Sequence, residues 1–179
     1  MQNMPVKMKI SQEFDAIVGF AREEAMRTGS FSIEADHLFL GILRHAANPA
    51  VEALHSLGVD TAGCKAEIDA LVFHEQGIPY GAEDGIRLGR EGSNTVSLAI
   101  AEAMADGAGE AGAIHLLKAI CKQENCHSSA YLRRRGISSG SFGAENRPAQ
   151  KCETEVSKKN LAILLSTINL NINKNNIVS

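Results

Sequence analysis

Residues 32–43, SIEADHLFLGIL, return without a gap 78 positions later as residues 110–121, EAGAIHLLKAIC. His37-Leu38 recurs as His115-Leu116 and Ile42 as Ile120. At the same offset Glu24-Ala25-Met26 recurs as Glu102-Ala103-Met104, Gly29 as Gly107, Leu54 as Leu132 and Gly58-Val59 as Gly136-Ile137. The chain is an internal duplication. Two copies of about 50–60 residues are fewer than the three or more stacked units an open solenoid needs, so the expected architecture is one closed pseudo-twofold domain.

A chain of 179 residues is long enough for one domain with a sizeable core. Hydrophobic residues make up 44% but aromatic ones only 4%, with no Trp, so that core must be built from Leu, Ile, Val, Ala and Met. Richness in Ala and Leu favours helices. The net charge of −3, with both signs interspersed, offers no basic field for a phosphate backbone and argues against nucleic acid as a partner. No apolar run approaches the length of a membrane span or a signal peptide, and a cytoplasmic protein is expected. Cys64, Cys121, Cys126 and Cys152 are irregularly spaced, form no disulfide or zinc framework, and are expected to be reduced.

Helical periodicity organises the chain in order. Ser11 caps a first helix with Phe14, Ile17, Val18, Ala21 and Ala25 on one face, which Gly29 ends. A second helix, from about Glu34 to His45, is apolar nearly all round from Leu38 to Leu43, as a central buried helix would be. Asn48-Pro49 starts a third, which Gly58 closes, and Asp60 or Thr61 starts a fourth. Repeat one therefore spans residues 10–74. Residues 75–92, rich in glycine and without apolar periodicity, read as an inter-repeat loop long enough to move.

Repeat two, residues 93–137, offers a helix from about Asn94 to Asp106, a central one from about Ala111 to Lys122, and a third ending in Arg133-Arg134-Arg135. Those three arginines read as a solvated helix end that complements the dipole. Where an eighth helix is due the sequence has loop composition, so the last helix of repeat two is expected to be degenerate. Residues 138–179 read as linker and tail, with one candidate helix over 156–171 that has the pattern to dock in the vacated groove, and a disordered end.

Glu23-Glu24-Ala25, Ile33, Asp36-His37-Leu38, Leu40-Gly41-Ile42-Leu43 and Leu57-Gly58-Val59, echoed at Glu102-Ala103, His115-Leu116-Leu117 and Gly136-Ile137, resemble the amino-terminal (Clp-N) domain of Clp-type AAA+ protein unfoldases, the ClpC type above all. The resemblance covers about residues 10–137. It implies an all-α fold of two tandem four-helix repeats that captures protein substrates or adaptor proteins and passes them to an attached hexameric ATPase ring. No phosphate-loop motif G-x-x-x-x-G-K-[ST] occurs in this sequence. In ClpC-type domains the resemblance further implies a pocket in each repeat for a phosphorylated arginine, which here assigns Ser11 and Asp36 as substrate-binding residues. A carboxylate can fork the guanidinium while a helix N-terminus offers amides to the phosphate. The corresponding positions in repeat two are Gly89 and Ile114, so that second pocket is expected to be dead. Asp36 is one methylene shorter than the Glu usual there, and its favoured role is that of a first-turn acid facing the helix dipole.

Other candidates are weaker. His37 and His115 begin the two central helices, and a structural role, bonding a neighbouring backbone across the repeat interface, is expected rather than a metal or catalytic pair. Cys121, Cys126 and His127 lack the spacing and the second pair that zinc needs, so no metal is expected. His45 and His55 stand alone. Glu23, Glu24 and Glu102 are expected to be solvated on helix faces. No hydrolase, metalloprotease or dinucleotide motif is present, and neither catalysis nor a cofactor is expected. The expected function is substrate and adaptor recognition in an ATP-dependent Clp chaperone and proteolysis system, by a module that is monomeric in isolation. One alternative is a free-standing regulator competing for Clp clients or adaptors. Another, disfavoured, is an enzyme with an unrecognised site.

Overall fold

The computed structural model describes residues 8–143, Ala162, residues 165–170 and Ile172. Seven α-helices account for most of it: α1 (Gln12–Thr28), α2 (Ala35–His45), α3 (Pro49–Ser56), α4 (Thr61–Val72), α5 (Arg90–Ala105), α6 (Ala113–Lys122) and α7 (His127–Arg134). Each repeat opens with its longest helix, α1 or α5, packed along its central one, α2 or α6. The starts follow the capping signals. Ser11 Oγ accepts from Phe14 N at 3.1 Å, Asn48 Oδ1 from Val51 N at 3.0 Å, and Asp60 Oδ1 from Ala62 N at 3.2 Å. The stops are duplicated too: α1 and α5 are closed by Gly29 (φ 81) and Gly107 (φ 68), in the left-handed region that a side chain disfavours. Ser30 N returns to Ala25 O at 2.8 Å, and Ala108 N to Ala103 O at 2.9 Å.

Four two-residue strands, which helical periodicity does not predict, join the repeats: β1 (Lys9–Ile10), β2 (Ser32–Ile33), β3 (Arg87–Leu88) and β4 (Glu110–Ala111). β1 and β3 are 78-residue equivalents, as are β2 and β4, yet β1 pairs with β4 and β2 with β3, both in parallel. Each repeat thus lends one strand to the other, and the duplication closes on itself. Two residues are too few for any pattern of alternation to register in sequence.

Core packing follows the expected residue types. Phe14, Ile17, Ala21, Leu38, Phe39, Leu40 and Ile42 of repeat one are fully buried, as are Val96, Ala99, Ala103, Leu116, Leu117 and Ile120 of repeat two. Helices α2 and α6 pack against each other across the pseudo-twofold axis, α3 against α6, and α7 against α2 and α4. α1 and α2 approach closely at Gly41, where an added Cβ would lie 2.6 Å from Ile17 O.

The inter-repeat segment is better fastened than a free loop. Arg22 Nη2 donates to Glu83 O at 2.8 Å, beside a 3₁₀ turn at Glu83–Gly85, and Arg87 N donates to Phe31 O at 3.0 Å. Helix α5 begins at Arg90, four residues before Asn94, where the first apolar-periodic residues had set the expected start. The eighth helix survives as its first turn: a 3₁₀ turn at Ser139–Phe142 stands 78 residues after the start of α4 and packs on α6. Phe142 is buried there, as is its counterpart Cys64. Within the proposed tail helix over 156–171, Ala162 and residues 165–170 are helical; the other residues of that span lie outside the described ones, as does most of the end expected to be disordered.

Candidate functional site

The two repeats meet at two pseudo-equivalent corners, where a long helix begins beside the central helix of the other repeat. At the first corner Ser11 N donates to Ala111 O at 3.0 Å, and Ser11 Oγ caps its own helix α1. The residue facing it at the start of α6 is Gly112, which brings no side chain.

At the second corner the roles are exchanged. Gly89, the counterpart of Ser11, has no side chain to cap α5, and Glu34, the counterpart of Gly112, reaches across from repeat one. Its Oε2 accepts from Gly92 N at 3.0 Å, so the carboxylate sits at the positive end of α5 as a bound anion would. The fit leaves no spare room: a Cβ on Gly89 would lie 1.8 Å from Glu34 Oε1, and one on Gly92 would lie 2.0 Å from Ile33 O.

Asp36, two residues on, does the same for α7. Its Oδ2 accepts from His127 N at 3.1 Å, and its Oδ1 accepts from Ser128 N at 2.7 Å and Ser128 Oγ at 2.5 Å. The residue at the start of α7, Cys126, offers Ser129 N only its sulfur, at 3.4 Å, where repeat one has Asn48. Two helices of repeat two are therefore capped by carboxylates of repeat one. Ser11 faces the start of α6 and Asp36 the start of α7, so the two residues assigned to one pocket have separate sets of partners. Asp36 is a buried acid in the first turn of its own helix, as expected, and it also holds the start of another.

The two histidines are equivalent in place and in work. His37 Nδ1 accepts from Glu34 N at 3.1 Å and His115 Nδ1 from Gly112 N at 3.0 Å, each closing the turn that precedes its own helix. These are bonds within a repeat, in place of the expected bonds across the interface, because a side chain in the third helical position folds back onto its own cap. His37 Nε2 lies 3.1 Å from Thr28 Oγ1 and His115 Nε2 lies 3.5 Å from Asp106 Oδ2. Burial lowers the pKa of both rings below the ordinary 6.5, more than the neighbouring acids raise it.

Glu24, expected in solvent, is 2% exposed. Arg27 and Arg44 bond its carboxylate at 2.6 and 3.1 Å, and Lys65 lies 3.9 Å away, a set of cations from α1, α2 and α4 that only the fold assembles. Glu102 pairs with Lys122, and Glu23, the more exposed, with Arg44. The arginine triplet is engaged as well: Arg133 bonds the carbonyls of Gln123 and Glu124, Arg134 pairs with Glu67 of α4, and Arg135 lies 3.6 Å over the Tyr131 ring. The Cys64, Cys121 and Cys126 thiols are each pushed up to about 12 by burial. Among the described residues, no group of three or more His, Cys, Asp or Glu side chains could hold a metal ion. None of the described helices is long and apolar enough to cross a membrane.

Among the described residues, Leu57, Leu71 and Leu170 are exposed, and so are four large side chains on or near the end of α1 and the inter-repeat segment. Met26, Phe31, Phe73 and Tyr80 are 39%, 47%, 57% and 102% exposed. The bond from His74 to Thr28 brings Phe73 to the end of α1, and Gly85 lies against the Phe31 ring. The same inter-repeat segment carries Glu75, Glu83 and Asp84.

Comparison with known proteins accords with this geometry. Residues 9–134 match the family model of the Clp repeat (R) N-terminal domain. The chaperone protein ClpB of Oceanobacillus iheyensis is 24% identical over 130 residues, 73% of this chain. The negative regulator of genetic competence ClpC/MecB of Bacillus subtilis is 23% identical over 130 residues, again 73% of this chain. In each case the match spans only 16% of the relative's length. A chain solved in preliminary structural investigations of a malarial protein secretion system superposes with a TM-score of 0.65 at 17% identity, over 75% of this chain and 89% of that one, and shares the fold. With more than half of its length matched to the family model, this chain belongs to the Clp repeat (R) N-terminal domain family.

Proposed function

We propose that the chain is a protein-recognition module of a Clp-type chaperone or proteolysis system, one that holds unfolded segments of substrates or adaptors for an ATP-driven ring. The carrying observation is the exposure of Met26, Phe31, Phe73 and Tyr80, with Glu75, Glu83 and Asp84 close to them in sequence. Exposed large apolar side chains with acidic residues nearby in the chain suit transient binding of apolar, basic stretches of polypeptide. Support comes also from the family and from the ClpB and ClpC relatives, although the chain covers a small part of each.

Recognition of a phosphorylated arginine through Ser11 and Asp36 is a narrower form of this proposal. Such a ligand would have to compete with the three bonds that Asp36 accepts from α7.

The test uses fluorescein-labelled, reduced and carboxymethylated α-lactalbumin as an unfolded client. Its anisotropy should report saturable binding to the full chain. The F31S/F73S/Y80S variant should bind about tenfold more weakly, a loss of ~1.4 kcal/mol, with an unchanged melting temperature. Equal binding by the variant, or none by the wild type, overturns the reading.

A further inference from the structure

The tail adds to the body an element that neither repeat contains. In the helix over residues 165–170, continued at Ile172, Leu165 packs partly buried on the core, and Ile168 and Ile172 are each only 3% exposed. Leu170, on the other side, is 58% exposed. Buried positions at i, i+3 and i+7 define one amphipathic face.

The point of attachment is specific. Arg87 N donates to Phe31 O and Gly89 N to Ile33 O, both at 3.0 Å, so these amides of and after β3 face β2. The intervening Leu88 N–H therefore points to the outer edge of the two-stranded sheet, where it would lack a partner. Asn169 Oδ1 accepts it at 3.5 Å. The tail meets the sheet edge with a side-chain amide, while its aliphatic side chains join the hydrophobic core.

We propose that the outer edge of β3 and the core surface that receives Leu165, Ile168 and Ile172 form a helix-binding groove, filled in cis by residues 165–170 and Ile172. In trans the groove takes an amphipathic helix of a partner protein with large aliphatic residues at i, i+3 and i+7 and a side-chain amide at i+4. The cis contact is suited to exchange. Among the described residues, it joins the body through Leu165, Ile168 and Ile172 and a long hydrogen bond at Asn169, against the entropy of ordering the segment. Covalent attachment keeps the tail near the groove at high effective concentration, so it acts as a built-in competitor that a matching helix must displace. The inference is independent of the exposed aromatic side chains and of the client protein proposed above.

The experiment is a competition. A fluorescein-labelled peptide of residues 160–174 is titrated with the full wild-type chain and with a full-length I168D/I172D variant, whose own tail cannot dock. The peptide should bind the variant at least tenfold more tightly than the wild type, and a peptide carrying the same two substitutions should bind neither. No binding to the variant, or equal affinity for both chains, overturns the proposal. Amide hydrogen exchange on the unmodified wild type decides independently of how the variant folds. The amides of Leu88 and residues 166–172 should be protected, yet exchange at least a hundredfold faster than those of α2. Protection equal to that of α2, or none, overturns it.

Discussion

At the scale of single residues, His37 and His115 have a definite protonation state. Each Nδ1 accepts a backbone N–H, which requires a bare nitrogen and leaves the proton on Nε2, directed at Thr28 or Asp106. Protonation would convert the acceptor into a donor and break the bond. Both folded-state pKa values lie below 6.5, so in acid the unfolded chain binds more protons than the folded one. Stability from this source is complete above the unfolded value and is lost as pH falls through 6.5. The melting temperature should therefore fall between pH 7.5 and pH 5, and an H37N/H115N variant, whose amide oxygens can still accept, should show a flatter profile. An equally steep profile in that variant would assign the acid sensitivity elsewhere. The equivalence of these residues was legible in sequence because both pairs stand at the same offset; their partners were not, since Thr28 and Asp106 differ at equivalent positions.

At the scale of elements, the asymmetry between α1 and α5 concerns where a helix finds its cap. Helix α1 carries its own in Ser11, and α5 borrows Glu34. A G89S substitution alone should destabilise by about 0.5–2 kcal/mol, because its Cβ would push the flexible Glu34 carboxylate off the start of α5. An E34G substitution alone should cost about 0.5–2 kcal/mol for the lost cap. Together they transplant the Ser11 and Gly112 arrangement into the second corner, and most of the loss should be recovered. Urea denaturation of the four proteins reads the coupling directly, and additive losses would refute the borrowed cap. This device could not be read from local sequence: Gly89 resembles a loop glycine, and its partner lies far away in the chain. The expected start at Asn94 was late for the same reason, since Glu34 stabilises the first turn from outside.

For the whole molecule, the crossed strands and the caps from Glu34 and Asp36 make repeat two dependent on repeat one. Replacing Asp36 with Ala strips three hydrogen bonds from the start of α7 and should cost about 2–4 kcal/mol in a urea melt. A fragment of residues 86–143 should show no cooperative transition alone and should regain helical circular dichroism when mixed with residues 8–85. A cooperative melt of the isolated fragment would show that the repeats are independent units.

Sequence alone determined the duplication, the helical class, the central place of α2 and α6 and nearly every helix boundary with a local cap, because those signals are periodic or confined to a few neighbouring residues. Tertiary structure decided the rest. The strand exchange, the buried Glu24 with its cations, the capping of α5 and α7 by the other repeat and the seat of the tail on β3 all join residues distant in the chain. A carboxylate's role is set by which backbone amides and cations the fold brings within about 3 Å of it, and no spacing in the chain encodes that encounter.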